Sequence, residues 1–330
     1  MKDKSKVVLV AVIIIIAAII AYVCYGFSNG KKKPIVTMDV SYKDGEGNEK
    51  NGTVKIELDP NVAPESVSNF IALANNGFYN GLTFHRIEDY VVQGGDKKGD
   101  GTGSANYSDL FQKYEVTEIN GKKATCKKKK SLTEAQNDEN AETMEINVSK
   151  LPKDIKVGDI VWYKDGKYQK GITDYVYSIK GEFAANGINN TLKFEKGVIG
   201  MARSDYSSYG MTEEGYNSAS SQFFFVTTDD KSTLNSLNQR YASFGKVVEG
   251  YEYIEEIGKL YVDKKSDDSE KTAEENAEPK EADVPKITNV TVETFGAKYG
   301  LPNVINFDTI QNQISQYQKR YNQLMSSYQQ

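Results

Sequence analysis

Residues Val7 to Phe27 carry no charged side chain, and that run constrains the chain more than any other feature. As a helix, its 21 residues at about 1.5 Å each reach roughly 31 Å, the thickness of a hydrocarbon core of about 30 Å. Lys2, Lys4 and Lys6 stand just before it. A cleaved signal peptide has a shorter apolar core of about 7–15 residues and small residues at the cut. Here the run ends Tyr22-Val23-Cys24-Tyr25-Gly26-Phe27, with no small-x-small site. A cleaved signal and a lipoprotein modified at Cys24 stay open as alternatives, although Tyr22 and Val23 are bulky for lipidation. Lys31, Lys32 and Lys33 crowd the far side, so charge leaves the orientation open. The expectation is an uncleaved transmembrane anchor within residues 1–33.

The remainder is long enough for one core plus additions: 330 residues in all, 38% hydrophobic and 26% charged. The net charge of -5 is local, because nine acids and four lysines between Asp263 and Asp283 account for it. A near-neutral remainder lacks the basic excess of a nucleic-acid binder. Two cysteines, Cys24 and Cys126, are too few for a disulfide framework, and His85 is the sole histidine. No metal site and no cofactor is expected.

Past the anchor, Ile35 to Tyr42 and Thr53 to Leu58 alternate as strands around a turn-rich Lys43–Asn48 segment. Pro64 opens a helix whose inward stripe is Val67, Phe70, Ile71 and Ala74, and Asn75-Asn76-Gly77 stops it. Short strands follow at Leu82 to Arg86 and Tyr90 to Gln93, then a glycine-rich run from Gly94 to Gly103. Near Tyr107 the composition turns to Lys, Glu and Thr, with turns at Gly121-Lys122 and Lys164-Asp165-Gly166, which reads as a small β-rich insertion. Its lysine run Lys127 to Lys130 reads as a solvated strand end. Strand patterns resume at Tyr175, an acidic linker follows, and Ile287 to Phe295 reads as a last strand returning to the main sheet. In the polar tail, Ile310, Ile314, Tyr317, Tyr321, Leu324 and Tyr328 form one helical stripe. Docking on the chain's own barrel is the expectation for it, with a partner-binding helix as the alternative.

Three segments stand out: Phe84-His85-Arg86 running on to Gln93-Gly94-Gly95-Asp96, Lys196-Gly197-Val198-Ile199-Gly200-Met201-Ala202-Arg203-Ser204, and Ser220-Ser221-Gln222-Phe223-Phe224-Phe225-Val226. A fourth runs Leu237-Asn238-Gln239-Arg240-Tyr241-Ala242-Ser243-Phe244-Gly245-Lys246-Val247, with Glu249-Gly250 after it. In this order they resemble the cyclophilins, over roughly half the chain. Any one piece is weak, and the ordered set is specific.

The resemblance implies a mainly β fold: a closed antiparallel eight-stranded barrel with two capping helices. The expected division is anchor 1–33, barrel 34–106, β-rich insertion 107–174, barrel 175–262, acidic linker 263–285, last barrel strand 286–300 and helical tail 301–330. It further implies a membrane-anchored, bacterial-like peptidyl-prolyl isomerase. Its partners would be Xaa-Pro-containing clients among exported proteins, and its membrane contact would run through residues 7–27. The location implied is the cell membrane, single-pass, with the catalytic domain extracytoplasmic. A non-catalytic Pro-peptide-binding chaperone or scaffold is the rival reading.

Arg86 matches the family's catalytic arginine and Gln93 the glutamine that orients it. Tyr90, Val91, Phe224 and Leu237 match the slot for the proline ring, Gln222 a supporting residue, and Ala202 and Arg203 the peptide-pairing edge. Tyr241 stands where many members have His. Alternation in Phe223-Phe224-Phe225 allows one or two rings into the slot. His85 is expected to point away from Arg86 as a buried structural residue. The Arg86–Gln93 spacing is one residue shorter than the family's. Arg203 replaces an Asn and is expected to favour acidic substrates. Asp205 to Ala219 is an added loop. Ser236 replaces an aromatic, so weak binding of cyclosporin-like macrocycles is expected; Trp162, in the insertion, does not substitute.

Overall fold

The computed structural model describes residues 32–129, 142–262 and 283–327. The expected anchor, most of the acidic linker and Tyr328 lie outside them. Among the described residues, no helix is long and apolar enough to cross a membrane.

The opening hairpin forms as its alternation dictates. In β1 (Ile35–Lys43), Val36, Met38, Val40 and Tyr42 face inward; in β2 (Glu49–Leu58), Val54, Ile56 and Leu58 do the same. The helix α1 (Pro64–Asn75) follows and buries the expected stripe of Val67, Phe70, Ile71 and Ala74. Pro64 suits its first turn, where an amide would lack a partner anyway. The missing N-terminal cap comes from far along the chain: the buried Glu182 carboxylate accepts from the Glu65 and Ser66 amides at 2.9 Å each and from Ser66 Oγ at 2.7 Å. Burial pushes that carboxyl's pKa up, and those hydrogen bonds oppose the rise.

Six more strands complete the main sheet: β3 (Arg86–Glu88), β4 (Val91–Gly94), β11 (Val198–Met201), β12 (Phe223–Val226), β13 (Ser243–Glu249) and β14 (Lys286–Glu293). Their order is β14-β1-β2-β13-β11-β12-β4-β3, antiparallel throughout. The expected closed barrel is thereby corrected to a curled sheet, because no ladder joins the end strands β3 and β14. The reason is local. The three-residue β3 starts only at Arg86, after a stretch that turns at Gly81 with a φ of +81°. That stretch reaches β14 by single bonds, Gly81 N to Ile287 O at 2.7 Å, Ile287 N to Leu82 O at 2.8 Å and Phe84 N to Pro285 O at 2.9 Å.

Between the two halves of this sheet, the strands β5 (Gln112–Asn120), β6 (Lys123–Lys129), β7 (Thr143–Asn147), β8 (Ile160–Lys164) and β9 (Lys167–Lys170) form a second sheet. Its own small core holds Val116, Ala124, Cys126, Ile146, Leu151 and Val161. The chain enters and leaves it side by side. Asn106 bridges Val176, and Tyr107 stacks on Tyr175 at 4.9 Å. A buried Lys113–Asp109 ion pair of 3.0 Å ties β5 to the entry.

Among the described residues, four α-helices follow the insertion, three of them before the tail. The short α2 (Thr212–Tyr216) lies in the added loop. The helix α3 (Lys231–Arg240) is capped by Asp230, which accepts from Thr233 N at 2.7 Å. With α1, the helix α4 (Tyr251–Val262) covers the sheet, burying Ile254 and Ile257. The tail is more than a helix. Its residues Val304–Asn306 form β15, which pairs antiparallel with β10 (Tyr177–Ile179), before α5 (Asp308–Ser327) begins. On α5, Ile310 and Ile314 are half-buried, whereas Tyr317 and Tyr321 are 41% and 52% exposed. Among the described side chains of the stripe, the two isoleucines are the more deeply packed.

Candidate active site

Strand pairing brings the separated motifs together. In the β3–β4 ladder Arg86 lies opposite Gln93, and in the β4–β12 ladder Gln93 lies opposite Phe224. Arg86 Nη1 donates to Gln93 Oε1 at 3.1 Å and Nη2 donates to Tyr90 Oη at 3.1 Å. Its Nε lies 3.7 Å from the Glu88 carboxylate. A planar guanidinium held at both ends of its fork has little freedom to rotate.

The glutamines are oriented in sequence. Gln222 Nε2 donates to the carbonyls of Gly101 at 3.0 Å and Gly103 at 2.7 Å. Its Oε1 is thereby turned to accept from Gln93 Nε2 at 2.8 Å, which turns Gln93 Oε1 toward Arg86. Flipping either amide would set like against like. The glycine loop under this chain is fixed by the buried Asp96, whose carboxylate accepts from Lys98 N at 2.8 Å and Gly101 N at 2.6 Å. Gly95 has φ of +85°, and a Cβ there would meet Ser221 O at 2.5 Å, so only glycine fits this approach.

His85 departs from its expected direction. It is half-buried, and its Nε2 faces Gln93 Nε2 at 3.4 Å, which requires the imidazole nitrogen there to accept. Strict alternation does not govern it, because the ladder starts one residue later. Burial, the largest effect, holds its pKa below the ordinary histidine range, against the pull of Asp96.

Beside Arg86 lies an apolar cluster of Val91, Phe194, Val198, Phe224, Val226 and Leu237, with Tyr90, Ala202 and Tyr241 against it. Phe224 alone of its triplet faces here, while Phe223 and Phe225 belong to the main core. Phe224 stacks with Phe194 at 5.7 Å and meets Tyr241 edge-on at 5.5 Å. All ten expected site residues line one groove of about 870 Å³: Arg86, Tyr90, Val91, Gln93, Ala202, Arg203, Gln222, Phe224, Leu237 and Tyr241.

Arg203 does not offer a free charge. Its Nε donates to Arg240 O at 2.8 Å and Nη1 to Ser204 O at 2.9 Å, and its guanidinium lies 5.0, 5.1 and 5.6 Å from the rings of Tyr241, Tyr216 and Phe183. The preference for acidic substrates expected of it has no support in this geometry. The groove also includes Gly101, Thr102, Ser218, Phe307 and Gln311, which the motifs do not mark. The glycine-rich run was a visible signal for the first two. The tail residues carry none.

Comparison with known proteins agrees with this geometry. The family described as cyclophilin type peptidyl-prolyl cis-trans isomerase/CLD matches residues 38–292. A Staphylococcus saprophyticus protein named for peptidyl-prolyl cis-trans isomerisation is 48% identical over 63 residues, which is 18% of this chain and 32% of that protein. A Staphylococcus aureus (strain USA300) protein of the same name is 44% identical over the same length and shares. The matched part is thus about a third of these relatives' own length. A crystal structure of a Cryptosporidium parvum cyclophilin type isomerase aligns with a TM-score of 0.36 at 20% identity, covering 77% of this chain and 98% of that one. The family match spans well over half of the 330 residues and includes Arg86, Gln93, Gln222 and Phe224. This chain belongs to the cyclophilin-type peptidyl-prolyl cis-trans isomerase family.

Proposed function

We propose that the protein catalyses cis/trans isomerisation of Xaa-Pro peptide bonds in polypeptides, with Arg86 stabilising the twisted amide. The observation that carries this is the guanidinium fork fixed by Gln93 and Tyr90 at the edge of a slot walled by Phe224, Leu237 and Tyr241. Rotation about the peptide C–N bond meets a barrier of about 18–20 kcal/mol because the bond is partly double. At the twisted geometry resonance is lost, and the pyramidal prolyl nitrogen gains a lone pair that accepts a hydrogen bond. A donor already in place favours that state over the planar one without reorganising. No acid, base or nucleophile is needed. A barrier lowered by about 7 kcal/mol corresponds to roughly 10⁵-fold.

The uncharged Val7–Phe27 run supports a membrane tether, and the side where exported chains fold is the one the family resemblance implies for the site. Protease protection in sealed vesicles tests that placement. For the chemistry, a protease-coupled isomerase assay on the protein and on Arg86→Ala is decisive. Losing one preorganised donor of this kind costs about 10²–10³ in rate. A wild type that binds Xaa-Pro peptides but does not isomerise them would replace the enzyme by a binding module.

A further inference from the structure

The link between the apolar run and the folded part of the chain is very short. Only Ser28, Asn29, Gly30 and Lys31 stand between Phe27 and Lys32. Fully extended, the Cα steps from Phe27 to Lys32 reach at most about 18 Å, and the headgroup layer takes about 5–8 Å of that. A folded part of this size has a radius of gyration of about 18 Å, so its far side lies beyond such a reach. A chain tethered through Val7–Phe27 can therefore bring one pole to the bilayer, the pole that Lys32 leaves.

Contacts define that pole. Leu58 N donates to Pro34 O at 2.9 Å, and Ile35 pairs with both Glu57 and Glu293, so the start of β1 and the ends of β2 and β14 lie together. The segment after β14 crosses from there to the start of α1, where Asn303 donates twice to the Glu65 carboxylate at 2.6 Å. Two apolar side chains stand out along this crossing. Leu301 is 45% exposed. Phe295 is half-buried, belongs to no hydrophobic cluster among the described residues, and has Lys32 Nζ 5.0 Å from its ring centre. Its φ is +52°, in the left-handed region, and Gly296 follows at +81°. A bulky side chain held there is strained, and within the described residues only a lysine ammonium over the ring helps to offset that strain.

The charges at this pole are close to balanced. Lys33 pairs with Glu57 at 3.4 Å and Asp59 at 2.8 Å, and Asn303 occupies Glu65. Lys32, Lys298 and Glu293 have no ion pair among the described residues. The exposed apolar pair, rather than a net charge, decides what the pole suits.

Resting on the tether reading, we propose that this pole lies on the surface of a phospholipid bilayer, with Phe295 and Leu301 entering the interfacial layer and the Lys32 and Lys298 ammonium groups meeting lipid phosphates. Lysine stems lie along apolar surface while their heads reach polar groups, so both kinds of side chain are served at one depth. So seated, the domain holds its groove at a fixed height and angle instead of swinging on its tether.

The test places single tryptophans in the full chain, in a Trp162→Phe background, after reconstitution into phosphatidylcholine vesicles with brominated acyl chains. Phe295→Trp and Leu301→Trp should each lose emission by about twofold or more, because interfacial side chains reach about 5–10 Å into the headgroup and acyl boundary. Tyr163→Trp, on the insertion and 42% exposed, should lose none; it carries the same affinity of tryptophan for interfaces and controls for it. Leu301 is the safer site, and its variant keeps the test readable if Phe295→Trp unfolds. Vesicles floated in alkaline carbonate report the tether separately. A chain that floats with them while position 301 stays unquenched overturns the docking and leaves the tether intact, and equal quenching at 163 overturns the docking too. A chain that carbonate releases overturns the tether and the docking with it.

Discussion

Gln222→Glu replaces one amide nitrogen by a carboxylate oxygen and leaves the side-chain shape unchanged, so it probes the chain of oriented amides and little else. In the wild type that nitrogen donates to Gly101 O at 3.0 Å and Gly103 O at 2.7 Å. A carboxylate oxygen there has no proton to give and faces two carbonyl lone pairs. Two neutral hydrogen bonds at about 0.5–1.5 kcal/mol each set the loss at roughly 1–3 kcal/mol, before repulsion. The glycine loop is also held by Asp96, and Arg86 by Tyr90, so part of that loss stays in the loop. If about half is felt by the guanidinium in the twisted state, kcat/KM falls by roughly twofold to twelvefold. The fall should sit in kcat, because the slot that grips the ring is untouched. A protease-coupled assay over a range of substrate concentrations separates the two. Gln222→Ala is the comparator, removing the bonds without the repulsion. Full activity in Gln222→Glu, with a glycine loop as resistant to proteolysis as the wild type, would refute the idea that this amide chain holds the fork.

Two further outcomes follow from the same geometry. Arg203→Lys keeps the charge but not the flat guanidinium that lies among Tyr241, Tyr216 and Phe183, where cation–π contacts are worth about 0.5–2 kcal/mol. Faster hydrogen exchange and cleavage in the loop from Asp205 to Tyr216 are expected, with KM raised more than kcat is lowered. The His85 pKa is depressed by burial, so the unfolded chain takes up that proton more readily than the folded one. Its contribution to stability is therefore full above the ordinary histidine value of about 6.5 and is lost as pH falls below it, through the lower folded value. A melting series across that range should show an acid limb that His85→Asn removes.

Much of the fold is legible wherever one strand or helix has one face to bury. Val36, Met38, Val40 and Tyr42 announce their own inward side, and so do Val67, Phe70 and Ile71 on α1. The site residues are legible for another reason: the motifs that hold them, in their order, resemble those of the cyclophilins. What escaped depends on partners distant in sequence. Glu182 caps a helix by accepting from an amide 117 residues earlier, a relation no local pattern encodes. The strand β15 has three residues, too few for a period, and exists because Tyr177–Ile179 offers it an edge. His85 was misdirected because alternation was extended one residue beyond the ladder that enforces it. Gln311 reads as one polar position on a polar helix, and it reaches the groove through contacts distant in sequence, the β15–β10 ladder and the stacking of Phe307 on Tyr206.

The placement of the additions separates chemistry from selection. The chain from Gly101 and Gly103 through Gln222 and Gln93 to Arg86 lies on β3, β4, the residue just before β12 and the glycine loop after β4. None of its bonds reaches the insertion, the added loop or the tail. The added loop and the tail instead meet the groove at its rim, through Tyr206 and Phe307. A change in either of them can reshape what the groove admits without moving the guanidinium that acts on the prolyl bond. Substitutions in these two additions should therefore redistribute kcat/KM among peptides, while substitutions along the amide chain should lower it for all of them alike. A peptide panel that showed the reverse would mean that the additions, rather than the family core, hold Arg86 in place.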